Sequence, residues 1–105
     1  MVIKTWNIEA MTGYHPITTF YEDFSIADKF GIGAIKDTYN RAFNEWKSDY
    51  KYLTELVMVM SWKSFEHETN MQYCELYSDL YYKLDNYAMK NLKGEELDYY
   101  IHTTD

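Results

Sequence analysis

The sequence predicts an all-α fold in one domain. A compact bundle of three to four helices is expected over residues 19–94, with an extended arm over 1–18 and a short C-terminal helical turn over 95–105. Apolar residues recur every three or four positions through most of the chain, the pattern of helices that bury one face. With only 4 glycines and 1 proline among 105 residues, long uninterrupted helices are favoured over a turn-rich sheet.

Residues 49–69 are predicted to form the central helix of the bundle. This stretch has two apolar stripes at helical spacing, and a helix that is apolar on two sides is normally buried among its neighbours. One stripe is Tyr50, Leu53, Val57 and Met60, the other is Met58, Trp62 and Phe65, and Leu56 and Val59 lie between them. We therefore expect the other helices to pack around it.

The N-terminal residues 1–16 alternate loosely between apolar and polar side chains. This pattern would suit a short strand, but no other segment of the chain predicts a partner strand. We expect an extended arm that lies on the bundle, with Trp6 and Ile8 as its anchors.

The first helix is expected at about residues 20–30, ended by the glycine that follows. Thr19 and Glu22 have the spacing of a capping box, in which the hydroxyl accepts from a free amide and the glutamate reaches back to the cap amide. Ser25 and Asp28 have the same spacing and offer a competing start.

A second helix is expected over about 34–47, and its apolar stripe continues in phase into the central helix. Periodicity alone would allow one helix from 34 to 69, but about 36 residues would span roughly 54 Å, too long for a compact domain of this size. Ser48 and Asp49 favour cap positions, so we place the break there. One unbroken helix is the alternative, and it would predict an elongated dimer.

The last long helix is expected over about 70–92, opened by a capping box of Thr69 and Gln72. Gly94 would end it, before a short turn and a frayed C-terminus. Its inward stripe is Tyr73, Tyr77, Leu80, Leu84 and Tyr87, widened by Cys74, Tyr81 and Ala88.

Charge is distributed unevenly along the chain. The net charge is −7, and residues 49–105 carry eleven acids against five lysines, whereas residues 1–48 carry six acids against five bases. A negative surface disfavours nucleic acid and anionic membranes as direct partners. No apolar run is long enough to cross a bilayer and no leader precedes the first residues, so we expect a cytoplasmic protein.

No catalytic signature is present, and we expect neither an enzyme nor a bound metal or cofactor. Helical di-metal sites use Glu-x-x-His pairs, which this chain lacks. Glu66, His67 and Glu68 are successive, so on a helix they would point in different directions and could not close on one ion. The single Cys74 can form no internal disulfide, and on the apolar side of its helix we expect a buried, inert thiol.

Several stretches over nearly the whole chain carry a resemblance to a known family. They are Met11 to Tyr14, Thr18 to Phe20, Asp23 to Asp28, Trp46 to Lys51, Leu53 to Met58, Leu92 to Leu97 and Thr103 to Asp105. In these stretches the chain resembles a small family of proteins of gut bacteria, often carried on mobile elements. The resemblance supplies neither an activity nor a site, and its mobile-element setting favours a small inhibitor or accessory factor.

Our hypothesis for the function is a protein-binding accessory or inhibitor module. Twelve tyrosines are available, and a tyrosine suits a binding surface because its ring buries a large area while its hydroxyl stays wet. The predicted partner-binding residues lie on the outward face of the last long helix and in the C-terminal turn: Glu68, Glu75, Asp79, Tyr82, Tyr99 and Tyr100.

Such a face would attract a basic partner by charge and then bind it by aromatic burial. One version is mimicry of nucleic-acid charge, which would block a nucleic-acid-binding protein. The alternatives are a solvated acidic face that only aids solubility, and a structural homodimer in which the tyrosine-rich face pairs with itself. An enzyme with an unrecognised site is the least favoured alternative.

Overall fold

A computed structural model describes the backbone of residues 16–104 and the side chains from residue 19 onward. The helices in this range are α1 (Pro16–Asp28), α2 (Ile32–Trp46), α3 (Tyr50–Glu66), α4 (Met71–Asn91) and α5 (Gly94–Thr104). The described range contains no strand, so the all-α prediction is confirmed. Between residues 16 and 104 there are five helices rather than three to four.

The fifth helix is the main correction to the predicted architecture. The segment expected as a helical turn with a frayed end is a helix of 11 residues. It remains regular to its last turn, where the Thr104 hydroxyl donates to the Tyr100 carbonyl over 2.8 Å. Helix α4 ends at Asn91 with Leu92 as its C-cap, so Gly94, which was expected to end this helix, instead begins α5, with φ at 57°.

The first helix begins earlier than the capping box predicted. It starts at Pro16, where a proline fits because the first turn of a helix leaves its N–H groups unpaired. Thr19 is therefore a buried residue inside the helix and not its cap. The competing start at Ser25 is also wrong, because α1 is by then near its end. The predicted arm, with Trp6 and Ile8, lies mostly outside the described residues.

Two of the predicted helix boundaries are confirmed by local geometry. Gly31 ends α1 with φ at 104°, a left-handed conformation that favours glycine. Asp49 breaks the long apolar stripe and caps α3, because its Oδ1 accepts from the amides of Lys51 at 3.1 Å and Tyr52 at 3.3 Å. The single helix over 34–69 is thereby excluded.

The cap of α4 lies one residue later than predicted. Asn70, rather than Thr69, is the N-cap, and its side chain accepts from the Tyr73 amide at 3.3 Å. Asparagine and threonine both suit this position, so the sequence alone could not separate them.

Helix α3 is central, as predicted, because it packs against each of the other four helices. The predicted two-sided burial holds only for part of its length. Leu53, Leu56, Val57, Val59 and Met60 are buried, together with the polar Thr54, Glu55 and Lys63. In the second predicted stripe, however, Trp62 and Phe65 are exposed.

Between residues 16 and 104, no helix has both the length and the apolar character that a membrane span requires.

Candidate functional site

A fully buried lysine, Lys63, lies near the end of α3. Its Nζ is 2.7 Å from Asp28 Oδ2 and 2.8 Å from Glu66 Oε2, and it donates to Ser25 Oγ over 3.1 Å. An ammonium has three N–H donors, so these three contacts satisfy all of them. Its Nζ also lies 4.9 Å from the centre of the Tyr21 ring, within cation–π range.

Asp28 is the acceptor that joins the rest of this cluster. Its carboxylate accepts from the Tyr77 hydroxyl at 2.6 Å and from His67 Nε2 at 2.8 Å. Burial opposes the ionisation of Asp28, but the hydrogen bonds from Lys63, Tyr77 and His67 outweigh burial and hold the pKa of this carboxyl below its usual value. The His67 ring stacks almost parallel on the Tyr77 ring, with centres 5.7 Å apart.

Glu66 completes the cluster from the outside. The hydrogen bonds donated by Lys63 and by the Tyr21 hydroxyl lower the pKa of this carboxyl. Burial opposes the charge on Lys63, yet the two carboxylates hold the pKa of the ammonium above its usual value. The charges at neutral pH are therefore one ammonium between two carboxylates. This arrangement links α1, α3 and α4.

The same cluster contains three side chains whose donor atoms could approach one metal ion. One ligand atom each from Asp28, Glu66 and His67 lies within 4.8 Å of the other two. The expectation that Glu66 and His67 point apart is wrong, because α3 ends at Glu66 and His67 leaves helical geometry, with φ at −103° and ψ at 27°. The Lys63 ammonium contacts both carboxylates, however, and already supplies the positive charge that a metal would bring.

The second feature is an exposed aromatic surface, which consists of Trp62 and Phe65 on α3 and Tyr81 and Tyr82 on α4. Trp62 is 44% exposed, Phe65 73% and Tyr82 62%, while Tyr81 is half-buried. Two shallow adjoining grooves connect them: Trp62 and Tyr81 line one, and Phe65, Tyr81 and Tyr82 line the other. The rings of Tyr81 and Tyr82 meet edge to face, 5.3 Å apart.

Small polar residues in the seam between α3 and α4 explain why these rings protrude. Ser64 Oγ lies 2.8 Å from Ser78 Oγ and 3.6 Å from Cys74 Sγ, so the helices approach closely there. The large side chains on either side of the seam then have no partner that covers them. Cys74 is half-buried, rather than buried as predicted.

Four of the predicted partner-binding residues, namely Glu68, Glu75, Asp79 and Tyr82, are exposed. The last three follow one another at spacings of four and three on α4 and so share one outward face. Glu68 lies in the connection before that helix.

Tyr100 and Tyr99 do not join this face, which corrects the predicted patch. Tyr100 is 1% exposed, and its hydroxyl donates to Asp85. Tyr99 packs edge to face on Tyr50, with ring centres 5.3 Å apart. Tyr50 begins α3 whereas Glu68 follows its end, and a helix of 17 residues separates its two ends by roughly 25 Å.

The sequence did not single out Lys63 as a residue of interest. A local signal exists, because Lys63 falls in the helical phase of Leu56 and Met60 and precedes an acid by three residues. Its main partner, Asp28, comes from another helix, and no local pattern could have identified it.

Nothing among the known protein families, the curated proteins or the solved structures matches this chain. Any assignment of function therefore depends on the side chains themselves.

Proposed function

We propose that this protein is a protein-binding module, an accessory factor or inhibitor that acts by occupying a partner. The observation that carries the proposal is the aromatic surface, where Trp62, Phe65 and Tyr82 expose large rings on two adjacent helices. A soluble domain rarely leaves neighbouring aromatic side chains open to water unless another surface covers them. Tryptophan and tyrosine are also the residues that most often dominate binding energy at interfaces.

The charges next to the aromatic surface favour a basic partner. Glu75 and Asp79 share the outward face of α4 with Tyr82, and Glu68 precedes that helix. None of these three acids forms an ion pair within residues 19–104. Unpaired acids attract a basic surface and orient it, while burial of the rings supplies most of the affinity. A nucleic-acid-binding protein whose basic surface is blocked by these acids is one such partner.

We also place the protein in the cytoplasm. The proposal rests on its single cysteine, which fits a reducing compartment.

A pull-down from a bacterial lysate tests the function. The first variant combines Trp62→Ser, Phe65→Ser and Tyr82→Ala, and the second combines Glu75→Lys and Asp79→Lys. We expect the first to lose proteins that the wild type recovers. The second should lose the same proteins most completely at low salt, where the repulsion between the new lysines and a basic partner is least screened.

Matched control variants carry the same kinds of substitution at exposed positions outside the aromatic surface. Phe30→Ala with Ile101→Ala removes exposed apolar side chains elsewhere. Glu22→Lys with Glu45→Lys makes the same change of charge on other exposed positions. If the wild type and the aromatic triple variant recover the same proteins, the aromatic surface is not the binding site.

The alternative occupant of the aromatic surface is a second copy of the chain. Pairing of the surface with itself would cover the same rings, but it would bring the acids of both copies together. Light scattering at low and high salt separates the two cases, because a stable dimer that Trp62→Ser dissociates would replace the partner proposal.

A further inference from the structure

A groove lies between α2 and α4, beside the aromatic surface. Its volume is about 450 Å³, within the range of ligand-binding clefts. Tyr39, Leu76 and Leu80 contribute apolar area to it, and Tyr39 and Leu80 are buried enough to form its floor. This groove and the aromatic surface have only Tyr82 in common.

The Tyr39 hydroxyl is an unused hydrogen-bonding group in this groove. Tyr39 is only 8% exposed, and its hydroxyl has no hydrogen-bond partner among residues 19–104. Burial raises the pKa of the phenol, so the group stays protonated and can donate. The hydroxyl oxygen is open to the groove rather than buried, so an acceptor on a ligand can reach it and replace water.

The rim adds two cations to that donor. Lys36 on α2 and Lys83 on α4 line the groove, are exposed, and have no ion pair in the described part of the chain. The two lysines outnumber the acids among the lining residues, since Asp79 is the only acid there. Two ammonium groups and a phenol donor around an apolar floor are the groups that recognise a carboxylate beside an apolar side chain.

We propose that the groove between α2 and α4 binds an extended peptide segment of a partner protein in which an aspartate or glutamate adjoins an apolar side chain. The carboxylate accepts from the Tyr39 hydroxyl and pairs with Lys36 and Lys83. The apolar side chain covers Leu76 and Leu80. Asp79 on the rim disfavours a second carboxylate, so the site selects a single acid rather than an acidic run. The groove meets the aromatic surface at Tyr82 and shares Asp79 with the face proposed to bind a basic partner, but it has the opposite charge preference.

An amide NMR titration of the ¹⁵N-labelled full chain tests the proposal. The probe is the peptide acetyl-Ala-Leu-Asp-Leu-Ala-amide, and its neutral control carries Asn in place of Asp. We expect saturable shifts at the amides of Lys36, Tyr39 and Lys83 with the Asp peptide, and binding at least about tenfold weaker with the Asn peptide. Absence of saturable shifts at these amides, or equal binding of the two peptides, would overturn the proposal.

Two pairs of variants locate the site and keep it separate from the proposed function. Tyr39→Phe removes only the unpaired hydroxyl and should weaken binding several-fold, whereas Tyr99→Phe removes a hydroxyl outside the groove and should not. Lys36→Met with Lys83→Met should abolish the preference for Asp over Asn, whereas Lys29→Met with Lys90→Met should leave it.

The aromatic triple variant of the pull-down contains Tyr82→Ala, so Trp62→Ser with Phe65→Ser replaces it here. That double variant should bind the Asp peptide as the wild type does. If it loses the peptide while the lysine pair keeps it, the peptide binds at the aromatic surface and the groove proposal fails.

Discussion

Trp62 and Lys63 are neighbours on α3, and each has the solvent exposure that would be expected of the other. The tryptophan is half open to water while the lysine is fully buried. The difference comes from what the adjacent helices offer to each side of α3. On the side of Lys63, α1 brings Asp28 and Ser25, and α4 brings Tyr77. On the side of Trp62, α4 offers Ser78 in the seam and the half-buried Tyr81, which lines a groove with Trp62 but leaves the indole ring 44% exposed.

The comparison shows that apolar periodicity identifies the buried side of a helix only where another helix covers it. A folded protein can bury a charged group where all of its hydrogen bonds are made, as at Lys63. It can also leave an aromatic ring exposed where few other exposed rings lie beside it. The aromatic surface has several exposed rings side by side, which is why we propose that it is an interface.

The largest effect is expected from a charge buried on α3 without partners. Val57 is fully buried in the hydrophobic core, and Val57→Asp should cost about 4 kcal/mol or more, because it places a charge among apolar side chains. Urea unfolding of the purified protein measures it. An unchanged unfolding midpoint would show that α3 is not the centre of the core.

Removal of the buried charge that does have partners should cost somewhat less. Lys63→Met keeps the length of the side chain but leaves Asp28 and Glu66 without their cation, at a cost of about 3 kcal/mol. The value lies at the low end for buried pairs because Glu66 is exposed enough for water to replace the lysine. Lys90→Met, on an exposed lysine, is the control and should change the midpoint little. Equal midpoints for the two variants would mean that the cluster contributes nothing to stability.

The sequence predicts two of the breaks between helices from neighbouring residues, and it fails where distant residues decide the burial of a side chain. The break before α3 follows from the capping preference of Asp49, and the end of α1 from Gly31. The burial of Lys63 depends on Asp28, whose position relative to α3 is set by tertiary packing. The sequence pattern places Tyr100 in a short turn, whereas the fifth helix turns its side chain into the core.

The ion cluster should also make stability depend on pH, with a definite sign. Because folding lowers the pKa of Asp28, its contribution is fully present above the unfolded value near 4 and is lost as pH falls through the lower folded value. We expect Asp28→Asn to lower the free energy of unfolding at pH 7. We also expect the free energy of the variant to fall less steeply than that of the wild type between pH 4 and pH 2, measured by urea unfolding at each pH.

Asp23 acts with the opposite sign, since burial raises its pKa to about 7. Asp23 is present in both the wild type and Asp28→Asn. The difference between their free energies of unfolding at each pH therefore reports the ion cluster alone. A difference that does not shrink below pH 4 would contradict the assignment.

The smallest effect on stability is expected at the aromatic surface. Phe65 is 73% exposed, and Phe65→Ser should change the free energy of unfolding by less than about 0.5 kcal/mol. The same substitution at the fully buried Phe24, which packs edge to face on Tyr77 with ring centres 6.0 Å apart, should cost about 3–5 kcal/mol. A ring that contributes almost nothing to folding but whose removal lowers the recovery of partner proteins belongs to an interface. If Phe65→Ser instead destabilises the protein as much as Phe24→Ser, the ring is part of the core, and the aromatic surface is not available to a partner.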